Sequence, residues 1–193
     1  MKTPGLLPGV FVWLIRFWAV MLMVFIVTGC SSQTTRKPSP AVTVQQPIRP
    51  ALIHADKVVI EKSLHLLTAY QQGIEIAKFP VALSQVPIGP KTCVGDKRTP
   101  EGFYTVVQHK KDSNFYRALR LSYPSPTDIA RARRQGCQPG GDIMIHGLEN
   151  GYGWVGSAHR SADWTQGCIA VTNEEMDRLW TLVPDGTTVE IRP

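Results

Sequence analysis

Over residues 74–79 the chain alternates, with Ile74, Ile76 and Lys78 set against Glu75, Ala77 and Phe79 in a loose period of two. That period marks a half-buried β-strand. A second apolar run at 64–70 comes before it and Gln71-Gln72-Gly73 separates the two, so residues 64–83 read as a β-hairpin. Residues 57–60 and 103–108 are further strand candidates. In 142–146 (DIMIH) Ile143 and Ile145 share one face, with Met144 and His146 on the other. Residues 188–192 (TVEIR) form the last strand candidate.

Two stretches carry helical spacing. Residues 127–135 (TDIARARRQ) follow a candidate cap at Ser125 or Thr127 and stop at Gly136. The second opens at Thr172-Asn173-Glu174-Glu175, places Met176, Leu179, Trp180 and Val183 at helical intervals, and breaks at Pro184-Asp185-Gly186. Residues 84–101 are dense in Pro and Gly and predict a long ordered loop. The βα alternation of a wound parallel sheet is missing, so the expectation is a mainly β fold with two short helices. No internal repeat is visible.

The N-terminal pattern differs. Residues 17–27 (FWAVMLMVFIV) are an uncharged run of eleven, with Lys2 and Arg16 the only earlier charges, ending at Thr28-Gly29-Cys30. A bilayer core of about 30 Å needs about 20 apolar residues, so this run reads as the core of a secretory signal. Val27-Thr28-Gly29-Cys30 resembles a bacterial lipobox, which implies a signal peptide over 1–29 and a lipidated Cys30 as mature N-terminus. A plain signal anchor starting nearer Phe11 is the alternative. Ser31, with no Asp there, resembles the sorting pattern of Gram-negative outer-membrane lipoproteins, which implies the periplasmic face of that membrane. Residues 31–50 hold four prolines and no aromatic residue. Such a segment cannot bury enough apolar surface to offset its ordering entropy, so 30–51 reads as a flexible tether and 52–193 as one domain.

Charge narrows the partners modestly. The net charge of +6 falls to +4 once Lys2 and Arg16 leave with the signal, and both signs are interspersed. A weak positive field suits an anionic polymer or membrane surface, and no basic aromatic ladder points to nucleic acid.

With Cys30 assigned to lipid, Cys93, Cys137 and Cys168 remain. An extracytoplasmic location permits disulfides. Cys93 (KTCVGD) and Cys137 (RQGCQPGG) sit in Gly/Pro-rich loop sequence, whereas Cys168 (TQGCIAV) runs into an apolar strand-like segment. The expectation pairs Cys93 with Cys137 and leaves Cys168 reduced; all three free is the alternative. A metal site from Cys137, Cys168, His146 and His159 lacks any Cys-x2-Cys or His-x3-His spacing, so no metal is expected.

A catalytic cysteine needs a base to form thiolate and donors to hold an oxyanion. Gly167 removes a side chain beside the Cys168 thiol. Two histidines are available. His146 ends a strand in MIHGLENG, and His159 lies in the polar loop SAHRSADW. Trp154 and Trp164 flank that loop and suit either a groove or the core. Read singly, a bonded strand-end residue for His146 and a solvated one for His159 compete with catalytic roles.

Three separated motifs, GDKRTPEGFY (95–104), PGGDIMIHGL (139–148) and DWTQGCIAVTNEE (163–175), together resemble the L,D-transpeptidase catalytic domain of bacterial cell-wall enzymes. The resemblance covers nearly all of 52–193. It implies a β-sandwich-like domain of mixed sheets, Cys168 as nucleophile and His146 as base. Gly147, Thr165, Gly167 and His159 follow as candidates for substrate binding or the oxyanion. The implied substrate is a peptidoglycan stem peptide, attacked at the carbonyl of its third residue, typically diaminopimelate, with D-alanine expelled and no cofactor. His146 precedes Cys168 by 22 residues, more than the usual gap, so the His159 loop reads as an insertion. The family commonly has His before the Gly-Cys pair and Arg or Asn two places after it; here these are Gln166 and Ala170. The wording DWTxGCIAV resembles a branch with some members that hydrolyse a murein-protein link. Hydrolysis, and wall binding without chemistry, are the competing functions.

Overall fold

The computed structural model describes residues 53–193. The signal segment, Cys30 and the tether expected over 1–51 lie outside the described residues. The strands are β1 (Lys57–Glu61), β2 (Leu66–Gln71), β3 (Ile74–Pro80), β4 (Gly102–Lys110), β5 (Ala118–Leu121), β6 (Met144–His146), β7 (Ile169–Ala170) and β8 (Thr188–Arg192). Two α-helices, α1 (Pro126–Arg134) and α2 (Asn173–Leu182), accompany them.

All eight strands join one mixed sheet in the order β3-β2-β1-β8-β4-β5-β6-β7. The β1–β8 and β6–β7 pairs are parallel, and the other pairs antiparallel. β4 makes the sheet curl. Its first residues, Gly102 to Thr105, pair with β8, while Val106 to Lys110 pair with β5 across a register shift between Val106 and Gln108. A bulge of this kind bends a strand, so one strand serves two half-sheets facing each other. Between them lie Ile60, Leu67 and Phe79 from one half and Leu119, Ile145 and Ile169 from the other, each below 2% exposed. Full burial of one such side chain stabilises by about 1.5–3 kcal/mol. Met176 and Leu179 of α2 enter the same core.

Both helices begin with reciprocal caps. The Ser125 hydroxyl accepts from the Asp128 N–H while the Asp128 carboxylate accepts from the Ser125 N–H, and Thr172 and Glu175 repeat the arrangement at α2. The first hairpin departs from expectation at both ends. Residues Lys62–Leu64 form a 3-10 turn ended by His65 in the left-handed region (φ 49°), so β2 starts only at Leu66. After Pro80 the chain leaves β2 and crosses to β7, where Ala82 and Ala170 exchange backbone hydrogen bonds of 2.9 Å.

The 84–101 loop is ordered from inside. The Asp96 carboxylate accepts from Lys91 Nζ (2.8 Å) and from the N–H groups of Thr92, Cys93 and Arg98. Burial alone would raise its pKa, yet these donors hold it below the usual carboxylate range. A Cys93–Cys137 disulfide ties the loop to the end of α1, with Cα atoms 5.7 Å apart, and Cys168 is a free thiol.

With Cys30 replaced by Ser, the unreduced denatured chain should titrate one thiol, rising to three after reduction. The Cys93→Ser/Cys137→Ser variant should lose about 2–4 kcal/mol in chemical denaturation. Three thiols before reduction would refute the bond.

Candidate active site

His146 is the last residue of β6 and 1% exposed. Its ring is held on three sides. Phe115 stacks on it with centroids 4.0 Å apart, Trp164 stands edge-on at 5.8 Å, and Nδ1 lies 2.7 Å from the Gly147 carbonyl. A carbonyl only accepts, so Nδ1 carries the proton and Nε2 is left basic. Burial drives the His146 pKa down to about 4, against the raising effect of the Gly147 carbonyl and with a further lowering from His159. The imidazole is therefore neutral at pH 7.

Gly147 cannot carry a side chain here, because a Cβ would lie 2.6 Å from the Tyr116 carbonyl and 2.8 Å from Asn173 Oδ1. Its N–H donates to Tyr116 O at 3.0 Å, and its carbonyl fixes the His146 tautomer. Its hydrogen bonds thus orient the base rather than present a donor to substrate. Asn173, the first residue of α2, accepts from the Leu148 N–H at 2.9 Å and so ties the turn after His146 to that helix.

Cys168 immediately precedes β7, whose register sets Ile169 beside Ile145 and Ala170 beside His146. Side chains two apart share a face, so Cys168 projects to the same side as His146, one step along the ladder. The half-buried sulfur is 3.5 Å from the Asp142 carbonyl, to which the thiol donates. Burial pushes the Cys168 pKa up and the Asp142 carboxylate adds to this, while the Met144 N–H and Lys91 offset part of it. At rest the pair is thus neutral thiol and neutral imidazole.

The approach to Cys168 is shaped by backbone contacts. Gly167 adopts φ 143°, and a Cβ there would lie 2.9 Å from the Arg98 carbonyl. The Thr165 hydroxyl donates to Cys168 O at 2.7 Å and accepts from the Gly167 N–H at 3.2 Å. Thr165 and Gly167 therefore spend their polar groups on the loop itself. The Cys168 N–H donates to no partner among the described residues. Of the other sequence candidates, His159 is 8% exposed rather than solvated, and Trp164 Nε1 donates to its Nδ1 at 3.4 Å. Its pKa is lowered by burial first and by Arg160 second. Trp154 is 82% exposed and takes no part in this cluster. Cys93 and Cys137 act at a distance, through the loop that brings Arg98 against Gly167.

The family model for the L,D-transpeptidase catalytic domain matches residues 55–191. The chain belongs to this family. YafK of Escherichia coli K12 and YafK of strain O157:H7, whose names assign them provisionally to the L,D-transpeptidases, are each 33% identical over 99 residues. The match takes in 50% of this chain and 32% of theirs, so the chain spans about a third of the length of these relatives. Among solved structures, the helical cell shape determining protein Pgp2 (K307A mutant) from Campylobacter jejuni superposes with a TM-score of 0.55 at 24% identity. That match covers 72% of this chain and 47% of Pgp2. Bd1075 from Bdellovibrio bacteriovorus gives 0.50 at 18% identity, over 72% of this chain and 51% of its own. These similarities establish the transpeptidase fold, a strand-rich curled sheet with few helices.

Two residues of this candidate site carry no local sequence signal. Phe115 and Asn173 reach His146 and its turn only through the fold, one beside β5 and the other from α2. Burial of a neutral His146 also ties stability to pH. Its folded pKa lies below the unfolded value near 6.5, so the unfolded chain takes the proton first as pH falls. The contribution is complete above about pH 6.5 and is lost toward pH 4, amounting to about 3 kcal/mol. Urea unfolding at a series of pH values should show this slope, and His146→Gln should flatten it. An unchanged slope in that variant would show that His146 is not its source.

Proposed function

We propose that this chain is a lipid-anchored cysteine L,D-transpeptidase of the periplasmic face of a Gram-negative outer membrane, acting on peptidoglycan stem peptides. The observation that carries the reading is the His146 tautomer, locked by the Gly147 carbonyl with Nε2 basic on the face shared with Cys168. A raised thiol and a depressed imidazole do not ionise each other at rest. The proton instead moves from sulfur to His146 Nε2 as the thiol attacks the carbonyl of the third stem residue.

The sulfur–carbon bond forms and the oxyanion is held by the Cys168 N–H, the donor left unused by the loop. Collapse breaks the carbon–nitrogen bond to D-alanine, whose nitrogen takes the proton from His146. An acceptor amine then gives its proton to His146 Nε2, forms the new amide and breaks the carbon–sulfur bond, and the expelled thiolate takes that proton back from His146. Lipidation at Cys30 rests on the lipobox resemblance.

A second reading passes the thioester to water. It is favoured by position 170, where a fully buried Ala is paired to both His146 and Ala82 and offers no polar group to a substrate carboxylate. To test the proposal, the purified chain in detergent is incubated with disaccharide-tetrapeptide and followed by mass spectrometry. Loss of D-alanine with dimer formation is expected. Cys168→Ala should abolish it, and His146→Ala should lower kcat/KM by about 10²- to 10⁴-fold. No product under conditions where another member of the family works sinks the reading. Release without dimers, indifferent to added amine, makes the enzyme a hydrolase.

A further inference from the structure

Two loop segments wall in Cys168, and one covalent bond joins them. The first, residues 93–98, ends at the Arg98 carbonyl, which would lie 2.9 Å from a Cβ at Gly167. The second, residues 137–143, brings Ile143 Cδ1 to 3.1 Å from the same point and the Asp142 carbonyl to 3.5 Å from the Cys168 sulfur. Gly167 therefore sits in a slot between the two, and the neighbouring thiol donates to one of them. The Cys93–Cys137 disulfide closes the other end of both segments.

The two walls are not equally fixed. In the first, the Asp96 carboxylate accepts from the N–H groups of both Cys93 and Arg98, so a displacement of Cys93 is passed on to Arg98. The second runs through Gln138-Pro139-Gly140-Gly141-Asp142, where adjacent glycines give the backbone wide freedom. A Cβ at Gly141 would meet nothing within 4 Å, and Gln138, Gly141 and Asp142 are exposed. Asp142 also stands in the left-handed region (φ 54°), which costs a residue with a side chain energy and needs outside support. Its 3.0 Å ion pair with Arg120 is open to solvent and worth little. The bond from Val94 N–H to the Gln138 carbonyl (2.7 Å) lies directly beside the disulfide and depends on the same closure. Both cysteines are half-buried, with Gly95, Gly136 and Gln138 exposed around them, so a small dithiol can reach the bond.

We propose that the Cys93–Cys137 disulfide is a reducible clamp on the walls of Cys168, and that the chain reacts fully with its acyl donor only while the clamp is closed. Opening takes two electrons from a dithiol. Its first thiolate attacks one sulfur, the S–S bond breaks, and its second thiol resolves the mixed disulfide, leaving a cyclic disulfide in the reductant and thiols at Cys93 and Cys137. The 138–142 segment is then free to move, and the Cys168 thiol loses both the Asp142 acceptor and its aim toward a bound carbonyl. A chain that has not met an oxidising compartment is thereby kept quiet. Cys93 and Cys137 are positioning residues, and the effect on acylation rests on the acyl-enzyme reading above.

In the test, the full chain in detergent is reduced with dithiothreitol under native conditions, freed of the reductant without access to air, and compared with the untreated chain on disaccharide-tetrapeptide. Thioester at Cys168 is read by intact mass. Reduction should lower kcat for acylation by about tenfold or more with a smaller change in KM, and reoxidation with glutathione disulfide should restore it. Cys93→Ser/Cys137→Ser should match the reduced chain and ignore the dithiol. A second arm needs no substrate: Cys168 is labelled with iodoacetamide in the double-serine and untreated chains and located by peptide mass, with circular dichroism to follow the fold. Opened walls expose the sulfur, so labelling should quicken and its pH midpoint should fall, because burial is what raises this thiol. Equal acylation by oxidised and reduced chains overturns the proposal, as does unchanged labelling in the double-serine chain. Loss of the whole fold on reduction overturns it too, because the bond would then hold the domain rather than the walls of Cys168. If neither form acylates, the acyl-enzyme reading fails and the labelling alone decides.

Discussion

Backbone pairing on both sides of residues 165–170 is the constraint on which the site depends. On one side Val171 N–H donates to His146 O at 3.0 Å. On the other, Thr165 N–H donates to Leu83 O, Gln85 N–H to Thr165 O, and Ala82 and Ala170 exchange a pair of bonds. The Asp163 carboxylate adds an anchor by accepting from the Leu83 N–H at 2.7 Å. A short chain fixed at both ends has few ways to run between them. Its path then requires a residue without a side chain where it passes the Arg98 carbonyl, which is why Gly167 stands next to Cys168.

Given that frame, the electrostatics follow from desolvation. Neither member of the dyad has an opposite charge close enough to stabilise its ionised form strongly, so burial raises the thiol and lowers the imidazole. In the proposed reaction such a pair passes its proton as the thiol attacks rather than resting as a thiolate-imidazolium pair. Trp164 then links two rings with opposite tautomers. His146 carries its proton on Nδ1 and His159 on Nε2, each set by what its first nitrogen meets.

Much of this was legible in the sequence where the signal is local. The strand candidates at 57–60, 74–79, 103–108 and 188–192 lie in strands, and the capping residues Ser125 and Thr172 start the two helices. β5 (ALRL) escaped because four residues carry too little pattern, and Gly153–Ser161 because its 3-10 turns, broken at Gly156 (φ 52°), match neither period. The left-handed His65 that delays β2 is equally silent, because a single histidine within an apolar run marks no turn by itself. Cys168 and His146 stood out through motifs. Phe115, Asn173 and the burial of His159 did not, since each depends on contacts between segments far apart in the chain.

The position of β8 has a kinetic consequence. It is the last strand in chain order among the described residues, yet it lies inside the sheet between β1 and β4, with Lys57 set beside Thr188. The two half-sheets therefore cannot join until β8 has emerged, and during synthesis β1 and β4 have no partner on the edges it will fill. Closure of so non-local a pair is slow relative to hairpin formation. A chain whose half-sheets stay apart until β8 arrives presents unpaired strand edges to chaperones along the way.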